Sequence, residues 1–199
     1  MPPLTQTATS EAPLSVTSTG SFLQTRTGRA SLGIAATLLV ALCAQISVPL
    51  PFTPVPFTLQ TFAVLLVGFL LGPVAGFCSL LGYLAEGAAG LPVFSLHGVG
   101  GIAQLMGPTG GYLLAYPFVA AIAGYLSRAL RRSVVAYAVA GTAATVFVFL
   151  CGAAWLMAGW HLGAHAVWIA AIAPFLPGEV IKICAAAGIA RALDRHPNK

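Results

Sequence analysis

Residues 61–85 read TFAVLLVGFLLGPVAGFCSLLGYLA and carry no charged side chain. The Gly72-Pro73 step divides this run, because proline cannot continue a helix from its N-terminal neighbour but is well placed as a first helical residue. Two short apolar helices joined by a tight turn are therefore expected, a helical hairpin. The surroundings are equally apolar. From Ala30 to Ser127 the only charged residue is Glu86, and from Ser133 to Ala190 the only ones are Glu179 and Lys182. Of the 199 residues 58% are hydrophobic and 7% charged, against roughly 25% charged in soluble domains. The mean hydropathy is +0.93. These values exclude a soluble fold and predict an all-α, polytopic integral membrane protein surrounded by lipid bilayer.

A transmembrane helix needs about 20 apolar residues. Turn residues and charges divide the chain into segments near 31–48, 58–71, 73–90, 109–127, 134–158 and 166–193, which predicts six transmembrane helices. The last is interrupted by Pro174, Pro177 and Gly178, with a helix expected to restart at Pro177. Arg26 and Arg29 precede the first span, Arg128, Arg131 and Arg132 follow the fourth, and Arg191, Arg195 and Lys199 end the chain. An even number of spans puts all these bases on one side, which the positive-inside rule makes the cytoplasm. Both termini are then cytoplasmic. Residues 1–30, rich in Thr, Ser and Pro, read as a disordered cytoplasmic tail without the apolar region of a signal peptide. Residues 31–193 form the membrane domain, and 194–199 a second cytoplasmic tail. The net charge of +5 sits at the ends and in one loop, so it does not describe a nucleic-acid surface. The four cysteines lack CxxC spacing and read as reduced apolar fillers.

Two connections on the external side are unusual. Residues 49–57 hold four prolines and are expected to form an extended, polyproline-like strip, and residues 91–108 combine four glycines with apolar side chains. Irregular backbone at membrane depth persists where it lines a cavity, so both read as lids over an external site.

The strongest candidate for chemistry is Pro177-Gly178-Glu179-Val180-Ile181-Lys182. Glu179 falls in the first turn of the restarted helix, where the dipole favours a carboxylate, and Lys182 shares its face. Each charge costs about 2.5–3.5 kcal/mol to insert into a span, which marks either a structural ion pair or a ligand site. Glu86 lies at the external boundary. Gln45, Gln60 and Gln104 are candidate ligand donors, though glutamine between membrane helices is more often interhelical glue. Other patterns fail on context. The GxGxxA match at Gly98–Ala103 has no βαβ unit around it, His161 and His165 lack the Glu of HExxH, and no serine sits in GxSxG. Gly33, Thr37 and Ala41 make a small-residue ridge for internal packing or for docking another membrane subunit.

Four stretches together, PVPFTLQT at 54–61, GAAGLPVF at 87–94, GPTGGYL at 107–113 and PFLPGEVIK at 174–182, resemble the BioY family, the biotin-specific substrate-binding subunits of energy-coupling-factor (ECF) transporters. The resemblance spans about residues 31–193. It implies six helices, a biotin pocket beneath the loop joining the first two spans, a location in the cytoplasmic membrane, and as partners a transmembrane coupling subunit and two cytoplasmic ATPases. Two positions depart from the family pattern: Asp is common where Glu179 stands, and the AxxxA ridge of the first span is absent. Biotin's cyclic urea has two N–H donors and one carbonyl, which a carboxylate and an ammonium match; Glu179 and Lys182 are that pair. Phe57, Phe94, Tyr83 and Tyr112 are expected as walls, with Glu86 also near the ligand. Gln104, His97 or the backbone N–H groups of residues 98–101 would meet the ligand carboxylate. The chain has no GxxxxGK[ST] loop, so no enzymatic activity and no cofactor are expected of it, and ATP hydrolysis falls to the partner chains. A subunit for another vitamin, or an intramembrane enzyme, are the alternatives.

Overall fold

The computed structural model describes residues 25–194. The chain divides into two units, 1–31 and 32–199. The described part of the first is the start of helix α1 (Arg26–Gln45). Thr25 Oγ1 accepts the Gly28 backbone N–H at 3.1 Å, an N-cap bond that satisfies one of the unpaired amides of a first turn. Helix thus begins at Arg26, and residues 26–30, expected in the tail, are helical. Residues 1–24 and 195–199 of the two expected tails lie outside the described residues.

The second unit continues α1 into strands β1 (Ser47–Val48) and β2 (Phe57–Thr58), helices α2 (Gln60–Leu71), α3 (Pro73–Ala88), α4 (Gly101–Met106), α5 (Gly110–Ala129), α6 (Val134–Trp160) and α7 (Ala164–Val167), then α8 (Leu176–Asp194). Among the described residues the regular structure is helical apart from one antiparallel bridge pairing Ser47 with Thr58 and Val48 with Phe57. That bridge corrects the expected extended strip. Its ends are held together, and Thr53 N–H donates to the Leu50 carbonyl, so residues 49–56 fold back as a loop. The prolines remain outside the ladder, where their missing N–H costs nothing.

The hairpin at Gly72-Pro73 forms as expected. Gly72 takes φ +85°, which a side chain disfavours, and Pro73 opens α3. Arg128 donates to the Leu71 carbonyl at 3.0 Å and closes the end of α2. A Cβ on Gly124 of α5 would lie 2.6 Å from the Gly68 carbonyl oxygen of α2, so the two backbones are in direct contact. The core of this unit, including Leu65, Phe69, Leu80, Tyr83, Val119, Tyr137 and Val148, lies between these helices.

Among the described residues four helical runs are long and apolar enough to cross a membrane: Thr27–Gln45, Gly110–Ala129, Val134–Trp160 and Ala164–Asp194. The hairpin helices are shorter, 12 residues in α2 and 16 in α3. At 1.5 Å per residue α2 reaches roughly 18 Å, less than the roughly 30 Å hydrocarbon core. The last run does not break completely at its prolines. It passes through a π-helical turn at Trp168–Ile172 and a 3-10 turn at Ala173–Phe175 before α8. Pro174 lacks an N–H and clashes with the carbonyl four residues back, and a change of helical pitch relieves both. Helix α8 starts one residue before the expected Pro177.

The Gly33, Thr37, Ala41 ridge faces inward. A Cβ on Gly33 would meet Ser79 Oγ at 3.7 Å, and one on Gly82 would meet Thr37 at 4.0 Å, so the ridge packs on α3. Ile34, Leu38 and Leu42 form the exposed side of α1. Cys43 is buried, whereas Cys78 and Cys184 are exposed, so only some of the cysteines fill the interior. His161 has φ +53° and ends α6, so it does not share a helix with His165 on α7.

Candidate binding site

Helix α8 restarts so that Glu179 falls in its first turn and Lys182 one turn on. Both are buried, 4% and 5% exposed. Lys182 Nζ donates to Glu179 Oε1 at 2.7 Å. Thr61, in the first turn of α2, completes the cluster: its hydroxyl donates to the same Oε1 at 2.8 Å and accepts from Lys182 Nζ at 3.1 Å. The ammonium also lies 4.2 Å from the centre of the Phe57 ring, a cation–π contact that partly replaces lost hydration. Phe57 in turn stacks on Phe175 at 6.1 Å.

The cluster is incomplete in one respect. Glu179 Oε2 is buried and has no hydrogen-bond partner among the described residues. An ammonium has three donors, and two are committed here. The wall therefore offers one open carboxylate oxygen beside one open N–H. Leaving such groups empty costs free energy, and buried polar groups of this kind ordinarily have a partner.

These groups line a cavity. Tyr112, Tyr116, Val148, Phe149 and Phe175 supply much of its apolar wall, and Thr58, Gln60, Ser95, Gln104 and Thr109 its further polar wall. Tyr112 is held in place by donating to the Ala171 carbonyl of the π-helical turn at 3.0 Å. The pitch change near Pro174 thus helps to shape the site.

Of the residues singled out from sequence, Glu179, Lys182, Tyr112, Gln60 and Gln104 line this cavity. Tyr83, Glu86, Phe57 and Phe94 do not. Tyr83 is fully buried, accepts from Gln60 Nε2 and donates to the Val93 carbonyl, both at 2.8 Å, so its hydroxyl is committed within the fold. Phe94 packs edge-on against Tyr83 at 5.5 Å. Phe57 stands behind the Lys182 ammonium. Glu86 is half-buried near the end of α3. Gln45 acts as glue, its amide donating to the Pro92 and Phe94 carbonyls, and His97 is hydrogen-bonded to Ser47 at 2.8 Å.

Sequence reading passed over Thr61, Ser95 and Tyr116. Thr61 lay inside a quoted motif, but its partner stands 118 positions away, and no local spacing joins the two.

The geometry can be set beside known proteins. Residues 14–199 match the family model described as the BioY family. A probable biotin transporter BioY from Pyrococcus horikoshii is 40% identical over 156 residues, 78% of this chain and 90% of that one. A biotin transporter BioY from Thermotoga maritima is 36% identical over 159 residues, 80% and 91% of the two chains. A solved structure, the S-component for biotin from an ECF-type ABC transporter, superposes with a TM-score of 0.78 at 27% identity, covering 85% of this chain and 92% of that one. The Glu179, Lys182 and Thr61 cluster and its cavity are thus features of a chain that belongs to the BioY family.

Proposed function

We propose that this protein is the biotin-binding subunit of an ECF-type transporter and performs no covalent chemistry. The observation that carries the reading is the buried cluster whose open carboxylate oxygen, Glu179 Oε2, has no hydrogen-bond partner among the described residues. Biotin's urea places N–H donors beside a carbonyl acceptor. The donors match Oε2 and the carbonyl matches the remaining Lys182 proton, both as charge-assisted bonds. The aromatic and aliphatic wall suits the fused sulfur ring and alkyl chain. The purified chain is expected to bind unmodified biotin tightly and reversibly, measured by calorimetry against thiamine and riboflavin. Preferential binding of another vitamin, or turnover of a bound compound, would replace this reading.

In this proposal the short α2–α3 hairpin counts as two spans, which makes six, with both termini in the cytoplasm of a cell whose cytoplasmic membrane holds the protein. The bases Arg128, Arg131 and Arg132 support that orientation. A membrane coupling subunit and two ATPases supply the energy. With the exposed Cys78 and Cys184 replaced, an external, membrane-impermeant thiol reagent should label Thr53→Cys but not Arg131→Cys. External labelling at 131 would sink the topology.

A further inference from the structure

A second polar feature of the same cavity lies away from the ion pair. Ser95 is 6% exposed, lines the cavity, and its Oγ has no hydrogen-bond partner among the described residues. A hydroxyl buried in that way is destabilising unless something meets it. Gln104 belongs to the same region. Gly98 N–H donates to the Ser95 carbonyl at 3.0 Å, and Gly98 abuts the Gln104 side-chain amide. Gln104 Oε1 accepts from Gly100 N–H at 3.2 Å. That bond fixes the amide so that its two Nε2 donors are uncommitted among the described residues.

The depths of the two polar ends differ. Glu179 is midway along the run Ala164–Asp194, whereas Ser95 sits in the loop between α3 and α4. An occupant reaching both is elongated and polar at each end. Charge separates the ends as well. Among the described residues Glu179 and Lys182 are the only charged ones on the wall, and they neutralise one another. His97 is bonded to Ser47 and stands off the wall. The outer end therefore presents neutral hydrogen-bonding groups and no cation.

We propose that Ser95 Oγ and Gln104 Nε2 form an uncharged subsite for the distal end of the ligand, so that the site accepts a neutral tail such as a primary amide about as well as a carboxylate. The inference rests on the biotin reading. A carboxylate at this wall gains no ion pair to offset its lost hydration. A primary amide loses less, and its carbonyl can accept from Gln104 while its N–H donates to Ser95.

The test is competition with labelled biotin on the full chain in detergent, using biotin, biotinamide and the bicyclic head carrying only a methyl in place of its tail. Biotinamide should bind within about tenfold of biotin, and Ser95→Ala should weaken both by about three- to tenfold, the worth of one neutral hydrogen bond. The same variant should leave affinity for the methyl-tailed head unchanged, which a merely structural role would not do. Three results would overturn the subsite: biotinamide weaker than biotin by more than about tenfold, no effect of Ser95→Ala on either full-length ligand, or an equal effect on the truncated head. If the parent chain bound no biotin, the biotin reading itself would fall, and the subsite with it.

Discussion

Lys182→Met should lower biotin affinity by about two orders of magnitude or more while the protein still inserts and folds. Among the described residues the ammonium is the sole cation against Glu179 on the cavity wall. Removing one partner of a buried pair costs about 3–5 kcal/mol, because the other is left as an uncompensated charge. Among the described residues Glu179 would then keep only the Thr61 hydroxyl and would stand as an unpaired buried charge. Titration of biotin into the variant in detergent measures the effect. The double variant Glu179→Met/Lys182→Met separates folding from binding. Replacing a whole buried pair by apolar side chains of similar volume is often neutral for stability, so this variant should fold and not bind. Tight biotin binding by either folded variant would reassign the pair to a structural role.

For Glu179→Gln the expected loss is about ten- to a hundredfold, from about 1.5–3 kcal/mol for a charge-assisted bond. The geometry says why an isosteric change matters. Thr61 and Lys182 both donate to Oε1, so the amide oxygen must occupy that position. The amide nitrogen then takes the place of Oε2 and presents donors to the urea's donors. Glu179→Asp keeps the charge and should retain binding. Direct binding measurements on both variants decide it, and equal affinities for Gln and parent would sink the hydrogen-bond assignment.

These expectations draw unequally on chain order and on packing. The all-helical membrane character was legible because it rests on local quantities: long uncharged runs, Gly72-Pro73 as a turn, and the prolines near 174–177. The segment bounds agree with the helices to within a few residues at most ends. At the N-terminus the reading placed the helix start at about residue 31, whereas Thr25 caps it at 26. The pairing of Glu179 with Lys182 was also legible, since three positions on a helix place two side chains on one face.

The wall of the site was less accessible. Tyr83, Phe57 and Phe94 are the aromatic types a ligand wall requires, yet whether an aromatic ring faces a cavity or a neighbouring helix is decided by helix rotation and by which hydroxyl finds a partner. Tyr83 found Gln60 and Val93. Thr61 became central because α2 and α8 are neighbours, a contact between residues far apart in the chain.

What the sequence alone determined is what depends on composition and near neighbours: a helical membrane protein, its turns, an acid and an amine on one helical face, and through its motifs the BioY family. Only the tertiary structure decided which lone pairs and protons remain open. Thr61 and Lys182 meet one carboxylate oxygen and leave Glu179 Oε2, like Ser95 Oγ, without a hydrogen-bond partner among the described residues. Hydrogen-bond satisfaction is a property of the packed chain, because a donor is spent only when a partner from another element arrives within about 3 Å of it.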